Sequence, residues 1–297
     1  MSGAPRALVI TRPTDYEALL ARHGTREQAR FFLAKRGQSL EDIEGRHRRL
    51  EAVMAVVSQA IPVRWRRARL RRADLAHFVF EPSDLVIVVG QDGLVPNVAK
   101  YLDGQTVIGV NPDPSLYDGL LVKHRVERLA EILPEAAKGS VKIEERTMAE
   151  AKLDDGQRLL ALNEVYVGHR THQSSRYRIR RRDAEERQSS SGLIVATGTG
   201  STGWARSIDL QRKAAVALPK PTDPALAFFV REAFPSVATG TAITEGRVEG
   251  DERLAVTSEM NEDGVLFGDG IEDDRLAFGW GVRAEIGIAR ERLRLVA

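Results

Sequence analysis

The sequence predicts an α/β domain built on a parallel sheet, followed by a β-rich domain. Three observations carry this expectation. The run Leu85-Val86-Ile87-Val88-Val89 is apolar throughout and ends at Gly90, as a strand buried on both faces does. Further apolar runs at 7–11 and 106–110 alternate with segments of helical periodicity, and such alternation implies right-handed crossovers and parallel pairing. Beyond about residue 138 the helical periodicity gives way to strand-like runs separated by Gly and Asp turns.

Taken in order, Ala7 to Thr11 forms the first strand, stopped by Arg12-Pro13. Thr25-Arg26-Glu27-Gln28 has capping-box spacing and predicts a helix to Gly37, with Ala29, Phe32 and Leu33 on one side. Ser39 caps the next helix, in which Ile43, Leu50, Val53, Met54 and Val57 recur at helical spacing. Pro62 to Trp65 reads as the second strand. The arginine-rich stretch Arg64 to Arg72 reads as a solvated, partly helical face, with a phosphate contact as the sharper alternative. Asp84 to Val89 is the third strand, Pro96 suits the first turn of the helix after it, and Thr106 to Asn111 is the fourth strand. Val126 to Leu133 looks helical. The runs Val141 to Glu145, Arg158 to Val167, Arg176 to Arg180 and Ser191 to Thr197 are strand-like. Lys213 to Ala233 reads as a helix-containing insertion interrupted by prolines, and Ala242 to Val296 alternates strands with turns.

Composition narrows the function classes. With 42% hydrophobic and 29% charged residues, the chain is globular rather than disordered. Lys+Arg 44 against Asp+Glu 42 leaves it almost neutral, so no general attraction to nucleic acid or membrane follows. The absence of cysteine excludes disulfides and thiolate metal sites and fits a reducing cytoplasm. No apolar run approaches the length of a membrane span, and Met1 to Pro5 lacks the apolar core of a signal peptide. The expected location is cytoplasmic, with neither nucleic acid nor membrane as partner.

Four segments hold the candidate chemistry. Gly90-Gln91-Asp92-Gly93 places a carboxylate on a glycine turn at the carboxyl end of a central strand, where open α/β sheets bind ligands. The glycines let backbone amides approach a phosphate. Asn111-Pro112-Asp113-Pro114 follows the fourth strand and so lies at the same edge of the sheet. Asn163-Glu164 sets an amide beside a carboxylate inside an apolar strand, where a buried acid needs a partner or a ligand. Thr197 to Trp204 runs from a strand into hydroxyls and glycines suited to phosphate or ribose, with an indole able to stack on a base. Gly198, Gly200 and Gly203 also satisfy G-x-G-x-x-G, but outside the first βα turn where that fingerprint has its meaning. His169 and His172 lack a nearby carboxylate set and read as ordinary histidines rather than a metal site.

Together the four segments resemble the NAD kinase family, which carries a G-G-D-G turn after a buried strand, an N-E pair and a T-G-S-T loop after a strand. The match looks closest to the mitochondrial-type branch, through Val110-Asn111-Pro112-Asp113-Pro114, Ala161 to Val165 and Ser190 to Ser201. The resemblance implies a Rossmann-like α/β domain, about 1–138, and a β-sandwich-like NAD-binding domain, about 139–297, whose last twenty or so residues return to the first. It implies transfer of a phosphoryl group from ATP, or from polyphosphate, with magnesium, to the 2′-hydroxyl of the adenosine ribose of NAD, giving NADP. Asp92 would then be the catalytic base or orienter. Gly90, Gly93 and Asn111 would bind the donor phosphates. Asn163, Glu164, Thr199, Thr202, Gly203 and Trp204 would bind NAD, and the assembly would be a homodimer or homotetramer.

Two departures stand out. Gln91 replaces the second glycine of the turn, which strains the backbone if that position needs positive φ. Leu94 replaces a hydroxyl-bearing residue. They keep open a catalytically weak NAD-binding sensor as one alternative; a lipid or sugar kinase of related fold, carrying the same glycine-aspartate turn, is the other.

Overall fold

The computed structural model describes residues 4–212 and 216–297. The chain divides into two compact units. The first holds the chain up to Tyr101, then Gln105–Ile143 and Arg294–Ala297. The second holds Leu102–Gly104 and Glu144–Leu293.

The first unit contains β1 (Arg6–Thr11), α1 (Asp15–His23), α2 (Arg26–Ala34), α3 (Leu40–Ala60), β2 (Arg66–Arg71), β3 (Leu85–Val89), α4 (Leu94–Ala99), β4 (Thr106–Val110) and α5 (Leu129–Lys138). Its sheet runs β2-β1-β3-β4, every pair parallel, and Arg294 and Leu295 extend it by pairing parallel with Thr106 and Val107. All five residues of β3 are buried, which is why the run carries no polar alternation. Val9, Ile87 and Ile108 pack one face of the sheet against Met54 and Val57 of α3 and Leu129 and Leu133 of α5. Each such side chain contributes on the order of 1.5–3 kcal/mol on leaving water. This core fixes the carboxyl ends of β1, β3 and β4, from which the loops at 12, 90 and 111 emerge.

Several local expectations need correction. The arginine run is itself a strand, not a partly helical face, and Pro62 to Trp65 only leads into it. An edge strand needs few apolar residues. Here Leu70 turns inward, while the arginines remain in water and guard the open edge. Helix α1 follows the first strand with no strong apolar period of its own, and Thr14 and Glu17 form a complete capping box at its start. Helix α2 ends at Ala34, short of Gly37. Ser39 does cap α3, its hydroxyl accepting from the Asp42 amide.

The second unit is a sandwich of antiparallel sheets. It contains β5 (Ile143–Leu153), β6 (Arg158–Ala161), β7 (Glu164–His169), β8 (Ser175–Arg181), β9 (Ala184–Ser190), β10 (Leu193–Ala196), α6 (Trp204–Arg212), β11 (Ala225–Val230), β12 (Glu245–Glu249), β13 (Leu254–Ser258), β14 (Gly264–Gly268), β15 (Ile271–Ala277) and β16 (Arg283–Val296). One sheet runs β12-β11-β10-β7-β14-β15, and β16-β13-β8-β9 form the other, with β5 paired to β16 and β6 to β5. Val165, Val195 and Phe228 from the first sheet meet Tyr177, Val256 and Ile286 from the second in a closed core. On the outer face of the six-stranded sheet, Ala205 and Ile208 of α6 cover Tyr166, Ile194 and Phe229.

Here too the sequence expectation shifts. Arg158 to Val167 is two strands, broken at Leu162-Asn163. Within 213–233, residues 213–215 lie outside the described residues and the remainder holds strand β11. The helix of this region is α6, just before it. Among the described residues no helix is long and apolar enough to cross a membrane.

Candidate functional site

In the first unit the turn after β3 is built tightly. The Gly90 amide donates to Val110 O at 3.2 Å, and a Cβ at Gly90 would meet Leu94 Cδ2 at 3.2 Å. Leu94 is 1% exposed, so the departure at that position is a packing residue beneath the turn. Among the described residues the non-glycine positions with positive φ are Arg182, Glu232, Asp263 and Asp269, and Gln91 is not one of them. The strain anticipated for a side chain there is absent. Instead Arg12 Nη2 donates to Gln91 Oε1 at 2.7 Å. Gly93 has φ −62° and leads into α4.

Asp92 is held by the loop that follows β4. Its Oδ2 accepts from the Leu120 amide at 2.9 Å, and its Oδ1 accepts from Leu121 and Val122 at 2.7 and 3.0 Å. Three of the roughly four acceptor positions on the carboxylate are thereby engaged. Asn111 is buried and used at both ends: Nδ2 donates to Tyr117 O at 2.9 Å, and Oδ1 accepts from the Asp113 amide at 3.0 Å. A cavity of about 80 Å³ opens beside the turn, with Arg12, Arg46, Arg49, Gly90, Gln91 and Asp113 in its wall. Arg49 pairs with Asp113 at 2.9 Å and Arg46 with Asp15 at 3.8 Å.

In the second unit the break between β6 and β7 is the organising feature. Asp269, at φ 56°, turns its carboxylate back to accept from the Leu162 and Asn163 amides at 3.0 and 2.6 Å, while its own amide donates to Glu164 O. Aspartate tolerates this left-handed conformation better than most residues do. Glu164 opens β7 on the same face as Tyr166. Burial, followed by the charge of Asp269, pushes its carboxyl up to about 7. In sequence the Asp269-Gly270 dipeptide is a weak signal, and its place against Asn163 comes only from the fold.

Thr197 ties the glycine loop to the same break. Its hydroxyl donates to Leu162 O at 2.5 Å and accepts from the Thr199 and Gly200 amides. A Cβ on Gly200 would stand 2.1 Å from Asn163 O, so only glycine permits this approach. Thr199 is 5% exposed and accepts from Arg146 at 3.4 Å, whereas Thr202 and Gly203 are exposed. Trp204 lies parallel to Tyr166, with centroids 6.0 Å apart and planes 9° apart, and Arg231 sits over its ring at 5.1 Å. The structure thus brings Asn163, Glu164, Thr199, Thr202, Gly203 and Trp204 into one region of this unit. It adds Tyr166 and Arg231, which sequence reasoning did not assign to a site, and Asp269, whose dipeptide resembles a late D-G turn of the NAD kinases only weakly. Among the described residues no group of three or more His, Cys, Asp or Glu could hold a metal ion.

No protein-family model matches the chain. It is 35% identical over 133 residues to an NAD kinase of Heliobacterium modesticaldum, an alignment covering 42% of this chain and 46% of that one. It is 27% identical over 268 residues to NAD kinase 2, mitochondrial, of Rattus norvegicus, covering 72% of this chain and 62% of that protein. The chain spans between 41% and 62% of the length of the curated relatives it matches. Solved structures of similar fold include an NAD kinase from Archaeoglobus fulgidus in complex with ATP, with TM-score 0.59, 19% identity, and 98% and 93% of the two chains covered. Yeast NADH kinase complexed with NADH gives TM-score 0.60 and 15% identity over 100% and 84%. The parallel-sheet unit and the antiparallel unit described above are the fold of these neighbours.

Proposed function

We propose that this chain is an NAD kinase, transferring the terminal phosphoryl group of ATP to the 2′-hydroxyl of the adenosine ribose of NAD. The observation that carries the reading is Asp92, fixed by three backbone amides on a glycine turn at the carboxyl end of the central strand. Phosphoryl transfer needs positioning and charge neutralisation more than covalent chemistry. Asp92 supplies the positioning. Its remaining acceptor position takes the hydroxyl, whose oxygen attacks the phosphorus while its proton passes to the carboxylate or to solvent, and ADP leaves. Gly90 and Gly93 leave room for the donor phosphates, and Arg12, Arg46 and Arg49 place positive charge along the same cavity wall. Asn111 acts by shaping the loop that carries Asp113, its side chain being already committed to that loop.

Asn163, Glu164, Thr199, Thr202, Gly203 and Trp204 receive NAD in the second unit, with Asp269 holding the Asn163 backbone in place. The donor phosphates themselves would carry the magnesium, in keeping with its preference for one or two carboxylates plus phosphate oxygens over an all-protein cage, and it would supply neutralisation of the transferring group's charge. The working form is a homo-oligomer in the cytoplasm, and inorganic polyphosphate is a second donor to be tried beside ATP. Incubating the purified protein with NAD, magnesium and either donor, and measuring NADP, tests the reading. NADP formation that disappears in Asp92→Asn supports it. Tight NAD binding without turnover from either donor replaces it with a sensor.

A further inference from the structure

A dinucleotide carries two negative charges on its pyrophosphate, yet none of Asn163, Glu164, Thr199, Thr202, Gly203 and Trp204 is cationic, and Glu164 is itself an acid. Apart from Arg146, which donates to Thr199, positive charge lies beside Trp204. A cavity of about 270 Å³ on the outer face of the six-stranded sheet is floored by Tyr166 and Trp204 and bears three guanidiniums, Arg170, Arg231 and Arg275, against one carboxylate, Glu272. Arg231 is the best placed of the three. Its guanidinium carbon sits 5.1 Å from the Trp204 ring centroid, and Nη1 donates to Ser191 O at 3.4 Å. Its ion pair with the exposed Glu232 is loose, at 3.6 Å. Arg170 pairs as loosely with Asp263, at 3.6 Å, and Arg275 donates to Glu272 O at 3.1 Å. A guanidinium steadied on an indole is pre-organised for bidentate contact with phosphate oxygens.

We infer that Arg231, held by Trp204, binds the pyrophosphate of the dinucleotide, with Arg170 and Arg275 neutralising it from the rim of the cavity. This rests on NAD being the acceptor.

Isothermal titration of the full chain with NAD, ADP-ribose and adenosine tests the assignment without requiring turnover. Arg231→Met should weaken NAD and ADP-ribose about tenfold or more, as loss of a charge-assisted contact does, and leave adenosine unchanged. Arg231→Lys should recover part of the loss. In steady-state assays the KM for NAD should rise by a similar factor while the KM for ATP stays put. Unchanged NAD affinity, or adenosine weakened as much as NAD, overturns the inference, because Arg231 then only supports Trp204. Wild-type protein that does not bind NAD overturns it too. If circular dichroism shows Arg231→Met misfolded, the Arg170→Gln/Arg275→Gln variant takes its place, and NAD binding in that variant should be weaker and less salt-dependent than in wild type. An unchanged affinity and salt dependence counts against the site. Failure of the proposed reaction reads differently: no NADP from either donor, with the phosphate-dependent binding pattern intact.

Discussion

Arg12 Nη2 donates to Gln91 Oε1 at 2.7 Å, joining the loop after β1 to the turn after β3. The side chain that departs from the family's glycine is thus an anchor for a cation at the wall of the first unit's cavity. Arg12→Ala should raise the KM for ATP about tenfold, the size expected for one charge-assisted hydrogen bond, with the KM for NAD unchanged. Steady-state kinetics with each substrate varied in turn measures this. An unaltered KM for ATP would reduce Arg12 to a brace for Gln91.

Asp92→Asn should do two things at once. Turnover should fall to background. Thermal stability should fall as well, because an amide offers one acceptor oxygen to the three backbone amides that two carboxylate oxygens now serve. The bond lost is the exposed one from the Leu120 amide, worth roughly 1 kcal/mol, a drop of a few degrees by calorimetry. A variant that melts like wild type would mean that the loop at 120–122 does not depend on the carboxylate.

Glu164 makes stability depend on pH in an unusual direction for a carboxylate. Its folded-state value of about 7 lies above the ordinary value of 4.5, through burial and then Asp269. Folding therefore favours the protonated form. The contribution is fully present below about pH 4.5 and is lost as the pH rises through about 7, a difference of roughly 3 kcal/mol at most. Urea unfolding from pH 4.5 to 8.5 should show wild type losing stability relative to Glu164→Gln across that window. Parallel curves for the two proteins would sink the assignment.

Two glycines separate packing from permissiveness. Gly200→Ala drives a Cβ to within 2.1 Å of a backbone oxygen and should destabilise by about 1–3 kcal/mol or more, lowering the melting temperature and weakening NAD binding. Gly93→Ala meets nothing within 4 Å and has negative φ, so it should fold as wild type does. Equal melting temperatures for the two variants would contradict the geometry at Asn163.

Legibility followed the strength of the burial signal. Leu85 to Val89 could be read directly because both faces of β3 are covered, leaving no polar residue to confuse the period. The arginine strand could not, because an edge strand buries little and its residues carry a solvent pattern. Helix α1 has no fully buried residue, so only its Thr14 and Glu17 cap announced it. The apolar residues flanking Asn163 give it the pattern of a strand interior. The break there is imposed from outside, by Asp269 a hundred residues away.

By itself the amino-acid order determined the two kinds of sheet, the glycine turns and the identity of the motif residues, since these depend on period, on side-chain volume and on the few residues that a turn accepts. The tertiary structure alone decided that Asp92 is clasped by the 120–122 amides, that Asp269 sits against Asn163, and that Arg231 lies over Trp204. Each of these joins residues far apart in the chain. Such contacts have no local pattern, because their energy is realised only once the sheets between them have packed.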